Sequence, residues 1–211
     1  MKSFCFFAGL AVLHAQSKPD LGSDGVWLPR HVADMASKVN VPFQDWAKQK
    51  FQENHAKKQS ETDLRCLPPG VPRITFMARP FEIVQDSNRI VFLYEGGAHI
   101  FRQVWMDGRA HPKNLNPNWQ GHSIGHWEGD TLVVDTVGFN DVTWLDDAGH
   151  PHSERLHVVE KYTRTDPMTM KYEVVIDDPG AYTQSWTSSS TLSSRKGGRL
   201  EEDICLDKIS K

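Results

Sequence analysis

The sequence has only three cysteines and no long hydrophobic run. These two shortages argue against a structural zinc site and against a membrane-spanning helix. Residues 4–13 are the longest apolar run, about half of the roughly twenty residues that a membrane-spanning helix needs. No two cysteines have the CxxC spacing of a structural zinc site. The 24 Lys and Arg are outnumbered by 27 Asp and Glu, so neither nucleic acid nor a membrane surface is an expected partner.

The first residues are typical of an export signal. Lys2 supplies the positive start, residues 4–13 form a short apolar core, and Ala15 is the small residue before a cleavage point. We therefore expect residues 1–15 to be a signal peptide and the mature protein to be periplasmic or secreted, without insertion into the membrane. Cys5 lacks the small neighbours of a lipid-modified cysteine, so a lipoprotein is not expected.

Two cysteines remain after this cleavage, Cys66 and Cys205. In an oxidising compartment we expect them to form a disulfide. In the chain-entropy treatment, a bridge across so long a loop stabilises the fold by about 5 kcal/mol. Two free thiols are the alternative.

One helix is predicted ahead of the main domain. We interpret residues 16–64 as an extended lead-in followed by an amphipathic helix at residues 42–58. The residues that recur at helical spacing are Phe43, Trp46, Ala47, Lys50, Phe51 and Asn54. A stripe of this kind predicts a face that packs on the rest of the protein.

From residue 65 to residue 211 the pattern changes to strands and turns. Short runs rich in β-branched and aromatic residues alternate with clusters of Gly, Pro, Asn and Asp. These runs are residues 74–77, 81–85, 89–94, 99–106, 122–128, 131–137, 155–163, 171–176, 182–192 and 200–206. Consecutive hairpins without crossover helices indicate an all-β, mainly antiparallel fold. We predict an up-and-down β-barrel or strongly curved meander sheet, lipocalin-like, with the N-terminal helix packed on it.

Several long motifs resemble those of one protein family. They are RCLPPGVPR at 65–73, PFEIVQ at 80–85, RQVWMDGRAHP at 102–112, GHSIGHWEGDTLVVDTVGFND at 121–141 and AGHPHSERLHVVE at 148–160. Together they resemble a family of exported bacterial proteins with no settled activity, so the resemblance implies no catalytic residues. A looser likeness to lipocalin-like barrels, which include carriers, lyases, hydratases and cyclases, is one of fold.

The motif at residues 121–141 predicts a β-hairpin with ionisable side chains. His122, His126 and Glu128 share one face of its first strand, and Asp135 lies between valines on one face of its second strand. A carboxylate in that position must be paired or have a raised pKa. We expect Asp135 to orient His122 or His126 for general acid–base work, so these three are the candidate catalytic residues. A structural hydrogen-bonded pair inside a barrel is the alternative.

A second polar cluster follows the hairpin, around residues 140–157. We expect it to line the mouth of the barrel, because loops at the end of a scaffold commonly carry binding groups. The candidate substrate-binding residues are Tyr94, Trp105, Trp127, Glu128, Asn140, Asp141, Trp144 and His152. A merely solvated polar loop is the alternative.

Metal binding is a further hypothesis, because seven of the ten histidines lie between His99 and His157. The ligands of a divalent transition metal such as zinc or copper would be His122, His126, His150 and His152. Since no familiar ligand spacing is present, we expect no cofactor. The GHSIG segment matches G-x-S-x-G but lacks the strand-to-helix elbow of serine hydrolases.

These observations favour an exported enzyme that acts on a small, partly apolar molecule. Its chemistry would be cofactor-independent acid–base catalysis of the lyase, hydratase, isomerase or cyclase type. A periplasmic lipocalin-like binding or carrier protein without turnover is the first alternative, and a histidine-ligated metalloenzyme is the second. In each case the expected partner is a small molecule.

Overall fold

The chain forms a closed β-barrel in a computed structural model that describes residues 19–22, 25–30, 32–57, 59–96 and 100–205. Within these residues nine strands, β1 to β9, follow one another around the barrel in sequence order. They are Gly25–Pro29, Phe81–Gln85, Arg89–Tyr94, Phe101–Trp105, His122–Glu128, Thr131–Val137, His157–Asp166, Thr169–Asp177 and Trp186–Lys196. The predicted barrel is confirmed. The predicted signal peptide, residues 1–15, lies outside the described residues.

Neighbouring strands are antiparallel except for β4 and β5. Those two are parallel and share a short register, Val104 opposite Ser123 and Trp105 opposite Ile124. Residues 106–121 therefore carry the chain from the end of β4 back to the other end of the barrel, as a parallel pair requires. The barrel closes through β1, which pairs with β2 and β9. The segment predicted as a lead-in, residues 16–64, thus supplies one of the barrel strands.

Two predicted strands differ from the structure. Residues 74–77 were expected to be extended, but Arg73–Phe76 forms the short helix α3. All four of its residues are buried, so neither the strand period nor the helix period was visible in the sequence. Residues 200–205 of the predicted last strand are irregular. Among the described residues, no helix is long and apolar enough to cross a membrane.

The barrel interior is filled by side chains. Its largest fully buried members include Trp27, Phe81, Phe92, Tyr162 and Tyr172. The rings of Tyr162 and Tyr172 lie 4.9 Å apart, and the ring of Phe92 lies 5.2 Å from that of Tyr162. Ring pairs at such distances add to the free energy gained by burying apolar area.

An ion pair between Arg102 and Glu160 lies among these rings, with both side chains buried. Nε of Arg102 donates to Ser123 Oγ at 3.0 Å, and Nη2 donates to Thr136 Oγ1 at 2.7 Å. The hydroxyl groups of Tyr162 and Tyr172 donate to Glu160 Oε1 at 2.8 and 2.9 Å. Although burial alone disfavours a charge, the Glu160 carboxylate raises the pKa of Arg102. Both charges are therefore held by partners inside the barrel.

Helix α1, Asp45–Lys57, packs on one end of the barrel, while α2, Glu61–Leu64, follows it. Nδ2 of Asn54 donates to the carbonyl oxygen of Gly149 at 3.0 Å, and the ring of Phe51 lies 4.4 Å from that of His150. The predicted packing face is thus present, although Trp46 remains 46% exposed. After α2, Cys66 forms the predicted disulfide with Cys205.

Candidate functional site

The predicted hairpin of β5 and β6 is present, with Glu128 opposite Thr131 and His122 opposite Val137. Gly129 has a φ of 59° at the turn, a conformation that glycine adopts without strain. Ser123 and Thr136 bond to Arg102 in the interior. Because side chains alternate along a strand, the predicted catalytic residues His122, His126 and Asp135 face outward.

Four side chains on this outer surface form a continuous chain, His122–His111–Asp135–His157, which we call the outer-wall chain. Nδ1 of His122 lies 2.8 Å from Nδ1 of His111. Nε2 of His111 and Nε2 of His157 each lie 3.0 Å from the same oxygen, Oδ1 of Asp135. Asp135 is therefore paired as predicted, but its direct partners are His111 and His157 instead of His122 or His126. The alternative interpretation placed a structural pair of Asp135 and a histidine inside the barrel, whereas Asp135 and its histidine partners lie on the outer surface.

The pKa values within the outer-wall chain shift in different directions. The hydrogen bond from His157, followed by the one from His111, lowers the pKa of Asp135. The same carboxylate raises the pKa of His157. Burial, followed by the positive charge of Arg109, lowers the pKa of His122. At neutral pH the chain thus combines an ionised carboxylate with an uncharged imidazole at His122.

Trp105, His126 and Glu128 are predicted site residues that also lie on the outer surface of the barrel. The Arg109 guanidinium lies 3.7 Å from the ring centroid of Trp105 and forms a hydrogen-bonded ion pair with Asp107. His126 is not part of the chain, because its Nε2 lies 3.4 Å from Oε1 of Glu128 on the exposed surface. The predicted acid–base residues therefore occupy two separate environments: His122 and Asp135 belong to the outer-wall chain, and His126 lies beside Glu128.

A second candidate site is a cleft of about 650 Å³ at the end of the barrel where α1 packs. It is lined by Trp46, Lys50, Asn54, Lys57, Thr62, Arg65, Leu67, Trp119, Asp141, Val142, Thr143, Trp144, Pro151, His152 and Ser153. We call it the α1 cleft. Three of the predicted substrate-binding residues, Asp141, Trp144 and His152, line it. The cleft forms because the loop between β6 and β7 approaches α1 and the segment that follows it.

A neutral histidine lies in the wall of the α1 cleft. Nε2 of His152 lies 2.7 Å from Oγ1 of Thr143, and its Nδ1 lies 3.2 Å from the carbonyl oxygen of Ser153. A carbonyl oxygen only accepts, so Nδ1 carries the proton and Nε2 accepts from the Thr143 hydroxyl. Burial lowers the pKa of His152, which keeps the ring uncharged at neutral pH.

The remaining predicted binding residues lie elsewhere. Tyr94 faces the barrel interior, where burial raises its pKa to about 12. Trp127 lies on the inward face of β5 and packs against the core. Glu128 is exposed and binds Nζ of Lys161 at 3.1 Å. The backbone N–H of Asn140 donates to the carbonyl oxygen of Asn118 at 2.9 Å. None of these four lines the α1 cleft.

The described residues contain one group with the mutual distances of metal ligands, Asp34, Asp146 and His150. Of the four predicted alternative ligands it includes His150 alone. The Asp146 carboxylate already accepts from the backbone N–H groups of Met35, Gly149 and His150 and from Nδ1 of His150. Through these hydrogen bonds the Asp146 carboxylate stabilises the loop that carries His152, which explains its position without a metal ion.

Several side chains of the two sites were missed in the sequence. His111 and His157 complete the outer-wall chain from a loop and from β7, with no periodicity linking them to β5. In the α1 cleft, the spacing of Trp46, Lys50 and Lys57 along α1 was a usable signal, because positions four and eleven apart share a helix face. Trp119 and Arg65 carried no comparable signal.

No family model matches the chain, and no curated protein matches it. Among solved structures it is similar to a mutant of the fluorescent protein UnaG, with 10% identity and a TM-score of 0.34. That similarity covers 82% of this chain and 94% of the other. At this distance nothing about the ligand of one protein follows for the other.

Proposed function

We propose that the protein binds a small aromatic molecule with a negative charge in the α1 cleft, as a binding or carrier protein. One observation carries the proposal: three tryptophans and three cationic side chains line a single cleft of about 650 Å³. This volume lies within the roughly 300–1,000 Å³ of small-molecule sites.

Trp46 provides a surface on which an aromatic ring can stack. Its Nε1 donates to the carbonyl oxygen of Gly180 at 2.7 Å, so the indole is held by its edge. The side chain nevertheless remains 46% exposed. A large apolar face that is fixed in orientation and open to solvent loses little entropy when a ligand covers it.

The charges that line the α1 cleft favour an anion. Lys50, Lys57 and Arg65 outnumber the single carboxylate of Asp141. Nζ of Lys50 also lies 3.7 Å from Oε2 of Glu53, which weakens but does not cancel this excess. Opposite charges in a partly desolvated cleft steer a ligand and orient it.

The barrel interior is a poorer binding place than the α1 cleft. Its aromatic side chains pack against one another, and its cation, Arg102, is neutralised by Glu160. A ligand that entered would have to displace buried rings and break a buried ion pair. This packing supports a position of the ligand outside the barrel.

Export belongs to the same proposal. The disulfide between Cys66 and Cys205 suits an oxidising compartment. A carrier of small anions in the periplasm or outside the cell would use this fold without a cofactor.

Tryptophan fluorescence titrations test the proposed ligand class. The probes are a naphthalene carboxylate, its uncharged amide and hexanoate, which separate the contribution of the ring from that of the charge. We expect the naphthalene carboxylate to bind most tightly. Trp46→Ala and Arg65→Gln should each weaken its binding about tenfold, which corresponds to ~1.4 kcal/mol.

Lys50→Gln and Lys48→Gln form a matched pair of variants on one helix. Lys50 lines the α1 cleft, whereas Lys48 lies beside Phe43 and Phe51 on another face of α1. Only Lys50→Gln should weaken binding of the carboxylate. Equal affinities for the carboxylate and the amide, or equal effects of the two variants, would refute the proposal.

A further inference from the structure

We propose that the outer-wall chain is an acid–base site, separate from the α1 cleft, in which Nε2 of His122 accepts a proton from a weakly acidic aromatic molecule. The inference rests on four side chains that come from a loop and three strands: His111, His122, Asp135 and His157. Their hydrogen bonds determine where each proton lies.

The carboxylate at the centre of the chain fixes the tautomers. An ionised Asp135 only accepts hydrogen bonds, so Nε2 of His111 and Nε2 of His157 both donate to its Oδ1 at 3.0 Å. In the state in which His111 is neutral, its Nδ1 carries no proton. The Nδ1 of His122, 2.8 Å away, then donates to it, which leaves the lone pair of His122 on Nε2.

This lone pair is available to a ligand. Within the described residues Nε2 of His122 has no hydrogen-bond partner, and the side chain is only half-buried. Burial lowers the pKa of the ring, and the positive charge of Arg109 lowers it further. At neutral pH Nε2 of His122 is therefore unprotonated, as a general base requires.

The transfer is balanced within the site. The substrate's acidic C–H or O–H bond breaks, its proton passes to Nε2, and the electron pair stays on the substrate. The imidazolium formed at His122 keeps its Nδ1–H bond to His111, and His111 in turn is held by the Asp135 carboxylate. No oxidant, reductant or further reactant takes part.

Arg109, whose charge is paired with Asp107, supplies a further hydrogen-bond donor for the substrate anion. Its guanidinium stacks 3.7 Å from the ring centroid of Trp105, and Asp107 accepts from its Nε and Nη2. Within the described residues Nη1 has no hydrogen-bond partner. A planar guanidinium that is fixed on an indole can stack on an aromatic substrate and also bind its charge.

His126 is an internal comparison for the tautomer of His122. Both imidazoles lie on the outward face of β5, but Nε2 of His126 lies 3.4 Å from a carboxylate oxygen of Glu128. His126 should therefore carry its proton on Nε2, the opposite arrangement to His122. Heteronuclear NMR of the histidine side chains at neutral pH should show these two different tautomers. A His122 that carries its proton on Nε2, or on both nitrogens, would overturn the proposal.

Three variants distinguish a positioning role of the chain from a merely structural one. Asp135→Leu removes the acceptor and His111→Phe removes the direct partner of His122, so each should release His122 to the Nε2–H form. Asp135→Asn retains an oxygen acceptor and should leave the Nδ1–H form in place. If His122 keeps its tautomer in all three variants, the chain does not position it.

The base itself is tested with 5-nitrobenzisoxazole, an aromatic probe whose ring opens when a base removes its C–H proton. The N–O bond breaks in the same step and a coloured cyanonitrophenolate forms, so absorbance reports the rate. We expect turnover that disappears in His122→Ala, persists in His55→Ala and rises with pH through a midpoint below 6.5, the unperturbed value for histidine. Absence of turnover, or turnover that survives His122→Ala, would overturn the proposal. Neither result depends on ligand binding in the α1 cleft.

Discussion

The barrel interior and the outer wall each hold a carboxylate between several donors, yet the two groups behave differently with pH. Glu160 is fully buried and is bound by Arg102, Tyr162 and Tyr172, whose protons do not dissociate near neutrality. Asp135 has a side chain that is 36% exposed, and its donors are histidines. The interior network is thus fixed across physiological pH, whereas the outer one changes charge within that range. This contrast underlies our proposal that the first group stabilises the fold and the second takes part in proton transfer.

The largest expected effect comes from removing one charge of the interior pair. Glu160→Gln leaves Arg102 buried without a counter-ion, so the free energy of unfolding should fall by about 3–5 kcal/mol. Urea denaturation measures the change. Replacing both partners with apolar residues, Arg102→Met with Glu160→Leu, should recover much of the loss.

Glu173→Gln is the matched control for that variant. Its carboxylate lies 2.9 Å from Nζ of Lys171 on the exposed side of β8, and such pairs contribute less than about 1 kcal/mol. A similar loss of stability in Glu160→Gln and Glu173→Gln would show that the interior ion pair contributes no more to the free energy of unfolding than an exposed pair does.

A smaller effect is expected from Thr136→Val, which keeps the shape of the side chain and removes one acceptor. Nη2 of Arg102 donates to this hydroxyl at 2.7 Å, and a buried donor left without its acceptor costs about 1–3 kcal/mol. Thermal and urea unfolding should both register the loss. Thr191→Val, at an exposed position of β9, should change stability little, and an equal change in both variants would contradict the role of the hydroxyl.

On the outer wall the expected effect on stability depends on pH. The raised pKa of His157 means that its bond to Asp135 stabilises the fold fully below about 6.5 and less as pH rises through the folded-state value. The lowered pKa of Asp135 means that its contribution is full above about 3.8 and is lost at lower pH. His157→Gln should therefore destabilise the protein most between about pH 4 and 6.5, measured by urea unfolding across pH. A difference that grows above pH 7 would contradict this sign.

The smallest expected effect is a shift of one titration. Asp135→Asn removes the charge that contributes most to raising the pKa of His157, so this pKa should fall. NMR titration of the histidine side chains measures it. The exposed His126, whose carboxylate partner is Glu128, is the control, and a parallel change at both histidines would point to a general effect of charge.

The two strands and the turn of the β5–β6 hairpin were predicted because two local signals agree, whereas the register of the pair is known from the structure. Side chains of alternating type mark two strands of equal length, and Gly129 can adopt the positive φ of a tight turn. The disulfide was predictable for a different reason, since Cys66 and Cys205 are the two cysteines that follow the expected signal peptide. The hairpin follows from local backbone geometry, and the disulfide follows from the number of cysteines.

The same reasoning could not tell which face of the hairpin points inward. Leu132, Val134 and Thr136 are about as apolar as Val133, Asp135 and Val137, so the strand period alone leaves the two orientations equal. In the structure the Thr136 hydroxyl accepts a hydrogen bond from Arg102 inside the barrel. Arginine is a residue type that is mostly exposed, so an inward position was not expected. The inward position of Arg102 depends on Glu160 in β7, a partner 58 residues away.

What the sequence by itself determined is the class of fold, the positions of most strands, the central hairpin and the bridge between Cys66 and Cys205. Each follows from patterns that span a few residues or from the scarcity of one residue type. Only the tertiary structure brought His111 and His157 to Asp135, and brought α1 against the loop that carries Trp144 and His152. Closure of the barrel decides these contacts, because it alone sets which strands and loops become neighbours in space.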